Sequence, residues 1–157
     1  EVDRHPGVSV ANLNSPAQFV IGGPEGAVDG VLNRAIDRGA KQARRLPTSR
    51  AVHTSWLEEV ATALRPRLER VDWSDPATPF VACDRAEKLG TGAEVREFFS
   101  VFLTRPVRWE SSFRTLCHTH PSRFLEVGPG ALLTTLASFI DPTAVVRAAS
   151  DCLEHAP

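Results

Sequence analysis

The first third of the chain changes its hydrophobic period twice. Residues 8–13 roughly alternate, and residues 18–21 form a second short stretch with three apolar residues after Gln18, which predicts two strands joined as an antiparallel hairpin. From Glu25 the apolar residues recur at helical spacing, and Gly39 is a usual C-terminal stop. Residues 41–46 predict a further strand. The order strand, strand, helix, strand indicates a small α+β unit.

The rest of the chain alternates between strand and helix patterns. Two capping boxes, Ser55-x-x-Glu58 and Thr91-x-x-Glu94, each predict a helix start, and Pro66 is expected to end or kink the first of these helices. The other predicted elements are strands 80–83, 124–127 and 144–148 and helices 109–116 and 132–140. This alternation favours a parallel sheet with helices on its faces. The tail after Asp151 is expected to be frayed or a linker.

Composition narrows the class of protein. The 157 residues are 42% hydrophobic and the formal net charge is -1, which excludes a disordered chain and gives no electrostatic reason to expect nucleic acid or an anionic membrane as partner. No segment approaches a membrane span and no secretory signal opens the chain, so a cytoplasmic location is predicted. Methionine is absent even at position 1, and we therefore expect the chain to be a fragment.

Polar residues with possible chemistry occur at two places in the first half. His53 lies between a loop and a predicted helix start, where imidazole could take and return a proton; the alternative is a capping or surface histidine. Asn12, Asn14 and Gln18 place three amides around one turn, and these could bind the polar arm of a substrate. Alternatively, such amides satisfy the backbone of their own turn.

Two further clusters favour structural interpretations. Cys117, His118 and His120 lack the spacing of a zinc site, so no metal is expected there. The Gly128-Pro129-Gly130 turn could present backbone N–H groups to an anion, but it matches no nucleotide motif and is predicted to be a tight strand-to-helix turn. No G-x-S-x-G nucleophile elbow occurs in the sequence, so a conventional serine nucleophile would have to lie on another polypeptide.

Four motifs in this order resemble one family, the malonyl-CoA:acyl-carrier-protein acyltransferases, which include the acyltransferase domains of polyketide and fatty acid synthases. The motifs are the hairpin Val10–Gly23 with its N-x-N-S-P-x-Q-x-V-I-x-G pattern, Arg50-Ala51-Val52-His53, Arg105-Pro106-Val107-Arg108-Trp109, and Glu126-Val127-Gly128-Pro129-Gly130. The resemblance runs from about Val8 to Asp151. It covers only the C-terminal half of the family's catalytic unit, and it points to a polyketide synthase type.

The resemblance implies an α/β fold with an α/β-hydrolase-like large subdomain and an inserted ferredoxin-like small subdomain. Residues 1–47 would be most of the small subdomain without its first strand and helix, and residues 48–157 the C-terminal part of the large one. The reaction implied is transfer of a malonyl-type unit from coenzyme A, through an acyl-serine, to the phosphopantetheine thiol of an acyl carrier protein, with no bound cofactor. The partners implied are the N-terminal half with its GHSxG serine, the carrier protein and neighbouring synthase domains.

The resemblance also assigns site residues. His53 would be the general base and acid, and the main-chain carbonyl of Phe102 would orient it, although the family usually has Gln or Asn at that position. Asn12, Asn14, Gln18 and Val52 would line the substrate site. The residues before the histidine match neither common extender pattern, and malonyl is expected as the commonest substrate. Two alternatives stay open: an acyl-thioester hydrolase with the same fold, and a carrier-protein docking module without chemistry.

Overall fold

The computed structural model describes residues 6–150, which form six strands in three two-stranded sheets, together with five α-helices and one 3₁₀ turn. The strands are β1 (Ser9–Ser15), β2 (Gln18–Gly22), β3 (Phe80–Ala82), β4 (Glu87–Leu89), β5 (Phe124–Glu126) and β6 (Val146–Ala148). The helices are α1 (Glu25–Asp37), α2 (Glu58–Leu68), α3 (Gly92–Val101), α4 (Trp109–Cys117) and α5 (Leu132–Ile140), and the 3₁₀ turn is Ser55–Leu57. None of these helices is long and apolar enough to cross a membrane. The expectation for the tail after Asp151 lies outside the described residues.

The predicted hairpin and the helix after it are confirmed. β1 and β2 pair antiparallel, with Ser9 opposite Gly22 and Ser15 opposite Gln18. α1 ends in a Schellman motif, in which the N–H of Gly39 donates to Ile36 O and the N–H of Ala40 donates to Ala35 O, each at 2.9 Å. Gly39 has φ +91°, a conformation that favours glycine and stops the helix at this point.

The prediction of a strand at residues 41–46 is wrong. This segment carries neither strand nor helix, and it leads from α1 to the turn that holds His53. The Arg45 side chain holds it against α1, donating from Nε to Asp29 Oδ1 at 2.7 Å and also contacting Glu25. A strand needs a neighbouring strand to accept its ladder hydrogen bonds, and no other described strand lies alongside this segment.

Two predictions for α2 need correction. Ser55 does not open the helix with a capping box: Thr54 caps the 3₁₀ turn instead, and α2 begins only at Glu58. Pro66 does not end the helix, which continues to Leu68. Proline removes one backbone donor, but only two helical residues follow it and the surrounding turn is exposed, so water can satisfy the freed carbonyl.

The predicted parallel sheet is only partly present. β3 pairs antiparallel with β4, a strand that the sequence analysis did not predict. The chain turns back between them because Ala86 has φ +60° and its N–H donates to Ala82 O at 2.7 Å. Its short, polar Glu87-Lys88 stretch gives no apolar signal. The hairpin packs on α3, whose predicted Thr91/Glu94 capping box is confirmed.

The C-terminal elements form a second core. β5 and β6 pair in parallel, and α4 and α5 pack beside them around the buried Phe113, Ala137 and Ile140. The segment before α4 ties this unit to the rest: Val107 exchanges backbone hydrogen bonds of 2.8 Å with Ala11 and Leu13 of β1, and Arg108 N–H donates to Cys83 O at 2.6 Å.

Glu126 fixes the turn between β5 and α5. Its buried carboxylate accepts hydrogen bonds from Leu133 N at 2.9 Å, Thr134 N at 2.8 Å and Thr134 Oγ1 at 2.8 Å. Burial alone would raise the pKa of this carboxyl, but these hydrogen bonds outweigh it and hold the pKa below its ordinary value. The predicted tight turn at Gly128–Gly130 therefore has an acidic residue of its own chain at the helix N-terminus, which favours the structural interpretation over an anion site.

Glu126→Gln is expected to lower the free energy of unfolding by about 1 kcal/mol at pH 7, because it removes the charge that accepts these hydrogen bonds. The pKa of this carboxyl has its ordinary value in the unfolded chain and a lower one in the folded chain. The stabilisation is therefore complete above the unfolded value and disappears as pH falls through the folded one. Urea unfolding of both chains between pH 7 and pH 3 measures this difference.

Glu59→Gln is the matched control. Glu59 lies in the first turn of α2, so it also meets a helix N-terminus, but its side chain is exposed. We expect only a few tenths of a kcal/mol there. Equal losses for the two variants would contradict the role assigned to the hydrogen bonds of Glu126.

Candidate functional site

His53 is held at two points by the end of α3. Its backbone N–H donates to Leu103 O at 2.8 Å, and its ring nitrogen Nδ1 lies 2.8 Å from Phe102 O. The two partners are about fifty residues away in the chain, so the contact is tertiary rather than local. His53 has φ +64°, which is uncommon for a residue with a side chain, and the two hydrogen bonds stabilise this conformation.

The carbonyl partner determines which ring nitrogen carries the proton. A carbonyl oxygen can only accept, so Nδ1 is the protonated nitrogen of the neutral ring and donates to Phe102 O. Nε2 then has the free lone pair, and no hydrogen bond reaches it from residues 6–150. A half-buried imidazole with one oriented nitrogen and one basic nitrogen fits proton transfer better than capping, and the contact is the one that the resemblance implies.

The turn around His53 is built by small residues. The Thr54 side chain is almost fully buried, and its hydroxyl donates to Ala51 O at 2.6 Å while accepting from Trp56 N at 3.3 Å. Gly22 at the end of β2 packs against this turn, because a Cβ there would lie 3.0 Å from the Ala51 Cβ. The sequence analysis did not identify Thr54 or Gly22 as site residues; a Thr beside a candidate base and a Gly after a strand were the available signals.

Phe102 contributes its backbone to His53 and its side chain to a core. The ring centroids of Phe102 and His53 are 6.2 Å apart with planes tilted by 59°. On its other side the Phe102 ring lies 6.0 Å from Phe98 and 5.6 Å from Phe99. The imidazole therefore has an apolar neighbour on the side of Phe102.

His53 lines an open cleft of about 640 Å³ between the hairpin, α1 and residues 44–53. Asn12 and Val52 line the same cleft, as does Arg50. Asn14 and Gln18 do not: they lie at the tip of the hairpin, where Asn14 Nδ2 donates to Gln18 Oε1 at 3.1 Å. Of the six predicted site residues, the structure thus brings His53, Asn12 and Val52 to one cleft with Phe102 O bonded to the imidazole, and it leaves two apart.

The described residues offer neither a metal site nor an activated thiol. Within residues 6–150, no group of three His, Cys, Asp or Glu side chains could hold a metal ion, and His118 and His120 are exposed. Burial raises the pKa of the Cys83 thiol, and the nearby Asp84 charge raises it further. Burial also raises the pKa of the Cys117 thiol. Both thiols stay protonated at neutral pH, so neither fits the role of an activated nucleophile.

Thr54→Val is expected to destabilise the His53 turn, because valine keeps the shape of threonine but cannot make the hydrogen bonds to Ala51 and Trp56. We expect a loss of about 1 kcal/mol in the free energy of unfolding. We also expect a changed ¹⁵N shift for the His53 ring in NMR spectra. Thr54→Ser keeps the hydroxyl and should retain the native ring shift. Identical ring shifts in the valine variant and the native chain would contradict the positioning role.

The chain is similar to proteins of known identity over most of its length. No protein-family model matches the chain. It is 31% identical over 144 residues to the malonyl CoA-acyl carrier protein transacylase of Bacillus subtilis strain 168, a match covering 92% of this chain and 45% of that protein. The crystal structure of the corresponding transacylase from Xanthomonas oryzae pv. oryzae matches with a TM-score of 0.87 at 30% identity, over 94% of this chain and 49% of that one.

A third match is the structure of a malonyl transacylase in complex with a type II polyketide synthase acyl carrier protein. Its TM-score is 0.86 at 30% identity, over 90% of this chain and 46% of the other. The chain thus spans about half the length of the relatives that it matches. Its mixed α/β fold is the fold of the matched half of these structures, and the chain belongs to the malonyl-CoA:acyl carrier protein transacylase family.

Proposed function

We propose that this chain is the histidine-bearing half of an acyltransferase that moves a malonyl group from coenzyme A to the thiol of an acyl carrier protein. One observation carries the proposal: Nδ1 of His53 is fixed by Phe102 O, so that Nε2 is left basic in a residue that lines the cleft. Family membership supplies the reaction class. The serine nucleophile belongs to the part of the domain outside this chain.

The geometry supports His53 as both general base and general acid. Nε2 takes the proton of the serine hydroxyl as the serine oxygen attacks the malonyl thioester carbonyl, and it gives that proton to the departing coenzyme A sulfur. In the second half-reaction, Nε2 takes the proton of the phosphopantetheine thiol, the thiol attacks the acyl-serine, and the proton returns to the serine oxygen. Phe102 O lies at the C-terminal end of α3, where helix carbonyls stabilise the positive charge on the protonated ring.

An exposed apolar surface supports the need for a second half. Around β5, β6 and α5, five large apolar side chains are between 53% and 83% exposed: Leu125, Val127, Leu132, Phe139 and Val145. A two-stranded parallel sheet is normally buried on both faces within a larger sheet. We infer that residues 48–157 complete an α/β-hydrolase-like large subdomain with the missing half, and that residues 1–47 are part of a ferredoxin-like small subdomain.

The partners and substrates follow from the same proposal. The acyl donor is a coenzyme A thioester and the acceptor is the phosphopantetheine arm of a carrier protein, without a bound cofactor or metal. The matched transacylase in complex with a polyketide synthase carrier protein supports this acceptor and a role in polyketide synthesis. Neighbouring synthase domains are proposed as further partners. Val52 and Arg50 line the cleft and would contact the acyl group, for which malonyl is the proposed identity.

His53→Gln is expected to reduce malonyl transfer about 10²- to 10⁴-fold in the complete enzyme, because glutamine cannot take up the serine proton. The measurement is transfer of radiolabelled malonyl from coenzyme A to holo acyl carrier protein, with this chain combined with the rest of its domain. His118→Gln is the control: it changes an exposed histidine outside the cleft and should leave the rate unchanged.

The same assay separates the two enzymatic functions. Release of free malonate without carrier protein, at the rate of transfer, would favour the hydrolase alternative. A complete enzyme that binds carrier protein but forms no acyl intermediate would support the docking alternative. Equal transfer rates for His53→Gln and the native chain would contradict the role of His53.

The exposed surface around β5, β6 and α5 predicts the behaviour of the chain alone. We expect it to bind the dye ANS and to self-associate, because five large apolar side chains around β5, β6 and α5 are exposed. Phe139→Ser should reduce dye binding, whereas Trp56→Ser should not, since Trp56 is similarly exposed but lies on the 3₁₀ turn. A monomeric chain that unfolds cooperatively and binds no dye would contradict the inference that this surface is covered by a second half of the domain.

A further inference from the structure

We propose that Asp84 is a positioning residue for His53, acting through Arg105 and the carbonyls at the end of α3. The buried carboxylate of Asp84 pairs with two arginines, and these fix the direction in which Phe102 O points. The inference rests on the proposed function only in its kinetic readout, because the geometry of the imidazole can be measured without any reaction. Three features support it: the burial of Asp84, the attachment of the segment after α3, and a link back to the helix.

Asp84 carries a carboxylate where almost no water reaches it. It lies in the turn between β3 and β4, and its side chain is 2% exposed. Its Oδ2 lies 3.4 Å from Arg105 Nη1 and 3.7 Å from Arg85 Nη1. Within residues 6–150, the other oxygen, Oδ1, accepts no hydrogen bond. A buried charge needs compensation, so the position of the carboxylate and the positions of the two guanidinium groups depend on one another.

Arg105 attaches the segment that orients His53. The two carbonyls that hold the imidazole and the backbone of His53 belong to residues 102 and 103, shortly before Arg105. Shortly after it, the Arg108 N–H donates to Cys83 O at 2.6 Å, beside Asp84 in the same turn. The segment 102–108 is therefore attached to the β3–β4 turn by a charged pair and by a backbone hydrogen bond. This attachment limits the rotation of the two peptide planes away from His53.

Arg85 connects the same carboxylate to the body of α3. Its side chain is 23% exposed, and its Nη1 lies 3.8 Å from Glu97 Oε1 on α3. Its Nε lies 3.6 Å from Glu87 Oε2 on β4. Asp84 thus contacts one arginine that reaches the helix before the two carbonyls and another that belongs to the chain after them. Because long, partly exposed ion pairs add little to stability, we assign the network a geometric role.

The direction of one carbonyl matters because it selects the tautomer of the ring. Nδ1 of His53 donates to Phe102 O at 2.8 Å, and this leaves Nε2 basic. If the peptide plane rotates, the carbonyl no longer favours the proton on Nδ1, and the tautomer with Nε2 protonated becomes populated. That tautomer cannot take the serine proton. Loss of the Asp84–Arg105 pair should therefore slow proton transfer without weakening the binding of the acyl donor.

Substitution of Arg105 tests the inference in the complete enzyme, in which this chain is combined with the rest of its domain. Arg105 is half exposed, so Arg105→Gln removes the pair without changing the core. We expect kcat for malonyl transfer to fall about tenfold or more, with KM for malonyl-CoA unchanged. Arg105→Lys keeps the charge and should retain most of the native kcat.

Arg114→Gln is the matched control. Arg114 is as exposed as Arg105 and also forms an ion pair, with Glu110 at 2.9 Å, but both of these residues lie within α4. The variant removes the same charge and should leave kcat unchanged. Far-UV circular dichroism of both variants confirms that the helices are retained.

NMR spectra of the ¹⁵N-labelled His53 ring in the same complex give a readout that needs no reaction. In the native enzyme the ring shifts should show Nδ1 protonated. In Arg105→Gln the population with Nε2 protonated should rise, whereas Arg114→Gln should keep the native shifts. Native ring shifts in Arg105→Gln would overturn the inference.

Adding Asp84→Asn to Arg105→Gln separates positioning from stability. Arg105→Gln alone removes one of the two arginines that compensate the buried carboxylate, so it should lower Tm. The added Asp84→Asn removes that buried charge and should restore Tm. We expect kcat to stay as low as in Arg105→Gln, because the attachment of the segment is still missing. Recovery of kcat together with Tm would overturn the positioning role.

The remaining outcomes separate this inference from the proposed function. A raised KM with unchanged kcat would make Arg105 a substrate-binding residue and overturn the inference. Slow transfer by His53→Gln, with equal kcat for Arg105→Gln and Arg114→Gln, would overturn the inference and leave the proposed function standing. Native transfer by His53→Gln would contradict the proposed function, while changed ring shifts in Arg105→Gln would still support the inference.

Discussion

The site depends on two carbonyl oxygens at the end of α3. Phe102 O holds the ring of His53 and Leu103 O holds its backbone, and together they stabilise a residue in the left-handed region. Both carbonyls are available because α3 stops there: the last-turn carbonyls of a helix have no partner within it. The helix end thus supplies acceptors that a residue distant in sequence can use.

The position of α3 depends in turn on the core beneath it. Phe98 is buried against Ala82 and Leu89 of the β3–β4 hairpin. The hairpin is tied through Cys83 O to Arg108, and the neighbouring Val107 is hydrogen-bonded to β1. β2 continues from β1 to Gly22, which packs on the turn of His53. These contacts connect α3, both hairpins and the turn of His53, so a change in the core of the β3–β4 hairpin would shift the position of the imidazole.

Local patterns predicted most of the fold, and failed where a partner decides the outcome. The β1–β2 hairpin and the Thr91 capping box follow from residues close together in sequence, and both are present. The strand at residues 41–46 is missing because a ladder needs a neighbour that the described chain lacks. Ser55 was misread because the buried hydroxyl of Thr54, one residue earlier, makes the cap.

The candidate site was predictable in its side chains but less so in its supports. Imidazole chemistry and position in the motif identified His53, whereas Leu103 contributes only a carbonyl, which every residue has. Sequence patterns report side chains, so a backbone acceptor leaves no signal in them. Asn14 and Gln18 illustrate the converse: their amides attract attention in the sequence, yet in the structure they bond to each other.

Phe102 shows how a backbone contact can be independent of the side chain that the residue carries. The resemblance implies an amide side chain at this position, and a phenylalanine there would put the orientation of the histidine in doubt only if the side chain were the partner. The structure makes the contact through the backbone, which the replacement leaves intact. The phenyl ring instead joins Phe98 and Phe99 and stabilises the end of the helix that carries the carbonyl. Phe102 therefore supplies both an apolar neighbour for the imidazole and the carbonyl that orients it.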